Sequence, residues 1–300
     1  MFNLFKTKKT TLPMTVADVR MECIRRGVDG EHICGHDLIW AYSQLKRYDF
    51  APDFRTLGRI IKSNSDTRER KNETVLSVIV ETRKHPALVP IVLNMLETLA
   101  VPVQLFHGCN NKNFIEDSEL RDFIATGRIT LTSLEADSLD ASSYNTLLLS
   151  RQFWQRLIAR QKILIFQTDS IICKNSAFSI RDFMGFDYIG SKWRRQRPVG
   201  LVLDGGNGGL SLRDWTKSYE CLTRFPPEQW PAGEDGYYAF HIDLIKGRVG
   251  RDSECARFST QEVFLEKSFG AHQINKLSET DQRAFLEYCP EATILLLKNT

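Results

Sequence analysis

The chain has 300 residues, 42% of them apolar and 26% charged, with a formal net charge of +3. That is enough apolar material for one sizeable core, and no apolar run approaches the ~20 residues that span a bilayer. The N-terminus has no apolar signal core, and seven scattered cysteines form neither a Cys-x-x-Cys pair nor an even disulfide framework, so a reducing, cytoplasmic setting is expected.

The charge is unevenly divided, since residues 1–71 carry 14 Lys/Arg against 9 Asp/Glu, a net of +5. Phe2, Leu4 and Phe5 beside Lys6, Lys8 and Lys9 form an arm suited to peripheral contact with an anionic membrane. A solvated terminus accounts for the same residues. Without an aromatic platform or a known motif, the excess charge gives no nucleic-acid partner. Helical spacing recurs over 16–26, 36–48 and 54–61. The polar stretch 63–72 then reads as a linker between a helical, basic N-terminal extension (1–70) and a second domain (71–300).

After the linker, strand-like and helix-like segments alternate. Strands are expected over 74–80, 101–106 and 163–166, and helices over 88–99, 118–126 and 150–160. This order predicts an α/β sheet with parallel early strands and right-handed crossovers. Ligands of such sheets sit beyond the strands' carboxyl ends, where Glu81-Thr82-Arg83, residues 107–111 and Gln167-Thr168-Asp169 are expected to converge.

Four segments carry possible chemistry. Asp169 interrupts an apolar run, and a charge at a sheet edge is costly unless a cation or polar ligand meets it; a strand-end turn gives the same pattern. Asp204-Gly-Gly-Asn-Gly-Gly209 suits close backbone approach to a sugar or phosphate, and its Asn207-Gly208 pair is also a hairpin-turn signal. Glu234-Asp235 precedes a helix expected over 237–245, where paired acids also serve as caps. His272, in Phe269-Gly-Ala-His272, is a candidate ligand or a packing residue.

In order, Tyr144-Asn145, Phe153-Trp154, Gln167-Thr-Asp-Ser170, Asp187-Tyr-Ile-Gly190, Gly206-Asn-Gly-Gly-Leu-Ser-Leu-Arg213, Glu234-Asp235 and Phe269-Gly-Ala-His272 resemble a largely uncharacterised microbial and viral family of predicted GT-A glycosyltransferases. The resemblance covers about residues 73–297 and departs at Gln167, which stands where the family-wide Asp-x-Asp motif has its first acid. It implies a GT-A-like, Rossmann-like mixed sheet flanked by helices. The implied activity is transfer of a sugar from a nucleoside-diphosphate sugar, a UDP-sugar being the expected donor, to a glycan or other hydroxyl acceptor.

On that resemblance Asp169 and His272 hold Mn²⁺ or Mg²⁺, and Asp235 is the base of an inverting reaction with Glu234 in reserve. Glu81, Thr82, Arg83, Asn145, Gln167, Ser170, Asn207, Gly208 and Gly209 contact the donor. Trp193, Trp230, Tyr237 and Tyr238 are candidates for stacking on sugars, and Lys192, Arg194, Arg195 and Arg197 form a basic loop. Two other classes remain: a non-catalytic nucleotide-sugar-binding or scaffolding protein, and a sugar-phosphate nucleotidyltransferase. The latter needs a glycine-rich phosphate loop after the first strand, where Glu81-Thr82-Arg83 stands instead.

Overall fold

A computed structural model describes residues 14–15, 21, 23–25, 74–193, 201–230 and 233–296. In chain order the strands and first helices are β1 (Met14–Thr15), β2 (Val75–Glu81), α1 (Leu88–Leu99), β3 (Val103–His107), α2 (Lys112–Glu116), α3 (Arg121–Ala125), β4 (Ile129–Ser133), α4 (Ala141–Leu148), α5 (Arg151–Gln155), β5 (Lys162–Phe166) and β6 (Ser170–Ile172). There follow β7 (Tyr188–Ser191), β8 (Leu201–Val202), β9 (Asn207–Asp214), α6 (Trp215–Arg224), α7 (Glu234–Leu244), α8 (Asp252–Phe258), β10 (Ser259–Thr260), β11 (Gly270–His272) and α9 (Glu279–Tyr288).

The main sheet has the order β4-β3-β2-β5-β9-β7. Its first four strands are parallel, and β9 then runs antiparallel to β5 and β7 antiparallel to β9. The expected α/β architecture, a mixed sheet flanked by helices, is therefore the one observed. Strand β2 is buried along its whole length, as a central strand covered on both faces must be. Its side chains alternate between two cores, Leu76, Val78 and Val80 with Ile163 and Ile165 on one face, Val75 and Ile79 with Leu164 and Phe166 on the other. A second sheet, β10-β11-β6, stands beside the first and pairs His272 with Ser170.

The helix at 88–99 and the strands at 75–81 and 162–166 lie where their apolar patterns place them. Three expectations change. The helix expected over 150–160 ends at Gln155, because the Gln104 side chain takes the carbonyl of Arg156 and the N–H of Ile158 and draws the chain off the helix. The segment 118–126 is helical only over α3. Asn207-Gly208 is not a turn: the left-handed residues are Gly205 (φ 107°) and Gly206 (φ 82°), and Asn207 opens β9 opposite Ser191 at a bulge. Of the N-terminal extension, Met14–Thr15 pair with Leu201–Val202 and Cys23 is buried in the core. The rest of that extension, its membrane-contact arm and Arg194, Arg195 and Arg197 lie outside the described residues. Among the described residues no helix is long and apolar enough to cross a membrane.

Candidate functional site

Beyond the carboxyl ends of β2 and β5 lies a cavity of about 370 Å³. The residues that the sequence offered for donor, metal and base, Ser170 excepted, all line it, and Asp140, Tyr144, Thr168 and Gln273 join them. Their convergence follows from topology: β2 and β5 deliver Glu81–Arg83 and Gln167–Asp169, β9 delivers Asn207–Gly209, α7 delivers Glu234–Asp235 and β11 delivers His272.

On one wall, Nε2 of His272 lies 3.1 Å from Oδ1 of Asp169 although 103 residues separate them in sequence. The antiparallel β6–β11 pairing causes this by setting His272 opposite Ser170. The two atoms are close but not aligned as a hydrogen bond, and Oδ1 of Asp169 and both ring nitrogens of His272 are buried without a hydrogen-bond partner. Such atoms are costly unless something else meets them. Burial opposes charge on Asp169, but His272 and the Gln273 amide outweigh it and hold the carboxyl down at about 2. Gly209 is required here, since a Cβ on it would strike the His272 ring. One carboxylate oxygen beside one imidazole nitrogen is a donor pair that fits a divalent cation. Among the described residues no group of three His, Cys, Asp or Glu could hold a metal by itself.

The N-terminus of α7, which starts at Glu234 and so includes both acids, also lines the cavity. Glu234 is buried, and Arg213 grips its two oxygens at 2.5 and 3.1 Å. Arg213 is itself fully buried between the rings of Tyr188 and Tyr238. Burial pushes the Glu234 carboxyl upward against the pull of this guanidinium. Glu234, the expected reserve base, thus has both oxygens engaged by Arg213. Asp235 faces the cavity: its Oδ2 accepts from Asn207 Nδ2 at 3.0 Å and its Oδ1 from the Gly236 N–H at 2.6 Å. The N-cap position is Gly233, so neither acid occupies it, and the Asn145 side chain accepts the Glu234 N–H at 2.5 Å.

The remaining candidates divide into lining and bracing residues. Asn145 lines the cavity with its carbonyl committed to Glu234, and Asn207 lines it with its own oxygen accepting the Gly209 N–H at 2.9 Å. Ser170 is wholly buried and bonds the Gly209 carbonyl at 2.8 Å, so it joins β6 to β9 and does not reach the cavity. Arg83 is exposed and pairs bidentately with Glu81, at 2.9 and 2.8 Å. The segment 107–111 does not line the cavity: Asn111 braces it from behind, donating to the carbonyls of Glu81 and Arg83.

Trp193, Trp230, Tyr237 and Tyr238 are all buried and cannot stack on a sugar without rearrangement. Tyr238 instead donates to the Leu148 carbonyl and accepts from the Trp154 indole. Two residues that bond to the acids of the site, Arg213 and Gln273, have no role assigned from the sequence, and neither has the lining residue Asp140. Arg213 had a visible signal, a cation in a strand whose preceding residues, Gly208 to Leu212, are apolar or small. Gln273, next to His272, had none, because its partner is 104 residues away.

A family model described as a protein of unknown function (DUF5672) matches residues 128–272, just under half of the chain. The matched region includes Asp169, Asp235 and His272 and excludes Glu81–Arg83. No curated protein matches the sequence. Among solved structures, the chain is similar to the mannosyltransferase PcManGT from Pyrobaculum calidifontis, solved with GDP-Man and Mn²⁺, at 14% identity over 79% of this chain and 66% of that one (TM-score 0.40). It is similar to the glycosyltransferase GlyE of Streptococcus pneumoniae at 12% identity over 74% and 62% (TM-score 0.43). A third is a Bacillus anthracis protein provisionally named a glucose-1-phosphate thymidylyltransferase, at 8% identity over 56% and 83% (TM-score 0.35). The chain thus spans just under two thirds of the length of the two glycosyltransferases.

Proposed function

We propose that the protein is a metal-dependent glycosyltransferase that moves a sugar from a nucleoside-diphosphate sugar to a hydroxyl acceptor with inversion. The observation that carries this reading is the pairing, across one polar cavity, of an unsatisfied Asp169–His272 corner with a positioned carboxylate, Asp235. Asp169 and His272 are the residues that would hold Mn²⁺ or Mg²⁺. When bound, such an ion supplies Lewis-acid stabilisation of the charge on a departing diphosphate.

The balance of charges in the lining supports this. Among the described residues the cavity is lined by carboxylates from Glu81, Asp140, Asp169, Glu234 and Asp235, and the two guanidiniums beside it are already engaged, Arg83 with Glu81 and Arg213 with Glu234. A diphosphate entering that field is stabilised by a cation beyond those two engaged guanidiniums. Asp235 takes the proton of the acceptor hydroxyl as the oxygen bonds to the anomeric carbon and the bond from that carbon to the diphosphate breaks. Asn207 holds the carboxylate in place for this, and Arg213, through Glu234, fixes the turn of helix that carries it. Gln167, at the position of the absent first acid, is an uncharged cavity residue suited to a ribose hydroxyl. The Glu81–Arg83 edge is where the nucleotide base is placed.

The test is a nucleotide-sugar panel, scored by donor hydrolysis and thermal shift with and without Mn²⁺. Mn²⁺-dependent turnover of at least one donor, lost in Asp169→Asn, is the expected result. Turnover that survives both chelation and Asp169→Asn would sink the reading. The substitution at Gln167 favours a second possibility, a nucleotide-sugar-binding protein without catalysis. It predicts Mn²⁺-dependent donor binding with no turnover for any acceptor.

A further inference from the structure

The residue after His272 is held in an unusual way. Gln273 has φ 54° and ψ 54°, the left-handed conformation that a side chain disfavours and that glycine adopts without penalty. Its backbone N–H donates to the Asp169 carbonyl at 3.0 Å, and its side-chain Nε2 donates to Asp169 Oδ2 at 2.9 Å. Behind it, the buried Gln261 donates through Nε2 to the Gln273 Oε1 at 3.4 Å. The Gln273 carbonyl is also used, accepting from the Lys276 N–H at 3.0 Å. Both ends of the residue are therefore held, and what glycine would lack is the side-chain amide, with its hydrogen bond to Asp169 and its contact with Gln261.

We propose that Gln273 is a positioning residue that presents Asp169 to the cation, an inference that rests on the metal-dependent reading above. Its amide occupies Oδ2, which leaves Oδ1 as the oxygen beside His272 Nε2. A neutral amide does this without cancelling the carboxylate's charge, as a lysine or arginine in the same place would. Gln261 meets the oxygen of that amide from the buried side, which favours the orientation in which the nitrogen faces Asp169. Partners of metal-bound carboxylates act in this manner, and their loss typically lowers metal affinity ~10–100-fold.

The experiment measures Mn²⁺ binding by the loss of the free-ion EPR signal, with Mn²⁺ alone and with Mn²⁺ plus UDP, on the wild type, Gln273→Met and Gln273→Gly. Methionine keeps the length of the side chain and removes the donor. Glycine removes the side chain and suits the left-handed backbone, so it decides the matter if Gln273→Met is poorly folded. The expected result is Mn²⁺ affinity about 10–100-fold weaker in both variants with an unchanged thermal midpoint for Gln273→Gly. Wild-type Mn²⁺ affinity in the variants would overturn this inference and leave the metal reading standing. Absence of Mn²⁺ binding by the wild type would overturn both.

Discussion

On the strand side of the cavity, Oδ1 of Asp169 and both nitrogens of His272 are buried without hydrogen-bond partners, whereas on the helix side every oxygen of Glu234 and Asp235 accepts a bond. The strand-side groups come from the ends of β5–β6 and β11, and the only side-chain bond to Asp169 among those described is from Gln273. The helix side is anchored through Arg213, which reaches from β9 across the core between two tyrosine rings. The contrast separates two uses of buried polarity. A saturated network fixes geometry, while an incomplete one is stable only with a further partner, which on this reading is a cation.

The sharpest way to break the comparison is to remove one acid from each side. Asp235→Asn should lower transfer about 10²–10⁴-fold and leave donor affinity intact, measured by steady-state transfer beside nucleotide binding. Asp169→Asn should instead abolish Mn²⁺-dependent donor binding while shifting the unfolding free energy by less than about 1 kcal/mol. Equal loss of donor affinity in both variants would erase the distinction.

Arg213→Met tests whether the helix side is structural. It leaves a buried carboxylate on Glu234 without its partner, so chemical denaturation should show a loss of about 3–5 kcal/mol. The double variant with Glu234→Leu should recover part of that loss, because neither charge is then buried.

An effect of pH is expected as well, again on the helix side. His241 of α7 is buried, and burial pulls its imidazole down to about 3 from the ordinary 6.5, with its Nδ1 at 2.8 Å from the Tyr237 carbonyl and its ring against Phe225. Between those values the unfolded chain binds the proton and the folded one does not. Stability should therefore fall as pH is lowered through this window, by up to about 1.4 kcal/mol per pH unit. Denaturant titrations at several pH values should show this slope flattened in His241→Phe. The smallest change concerns the start of α7: Asn145→Ala removes the acceptor of the Glu234 N–H and should cost about 1–2 kcal/mol in the same assay.

Much of the fold was legible because it depends on local pattern. The seven-residue apolar run of β2, the spacing of α1 and the strand β5 are visible in composition and periodicity alone. Ile129–Ser133 and Tyr188–Ser191 do not read as strands in the sequence, being short and mixed in polarity. The helix Ala141–Leu148 was missed because Ser, Tyr, Asn and Thr in its first turns carry weak helical preference.

For the site, the sequence by itself determined which residue types were available and in what order: Asp169 at the end of an apolar strand, the glycines of 204–209, the acid pair 234–235 and His272. Only the tertiary structure decided what each one touches. It set His272 against Asp169 through the β6–β11 register, assigned Glu234 to Arg213 and Asp235 to the cavity, and buried the four aromatics that a linear reading offers as sugar platforms. The physical reason is that side-chain roles at a site are fixed by contacts between residues far apart in the chain. Burial turns those contacts into obligations, because a buried charge or polar atom must find its partner wherever the fold places one.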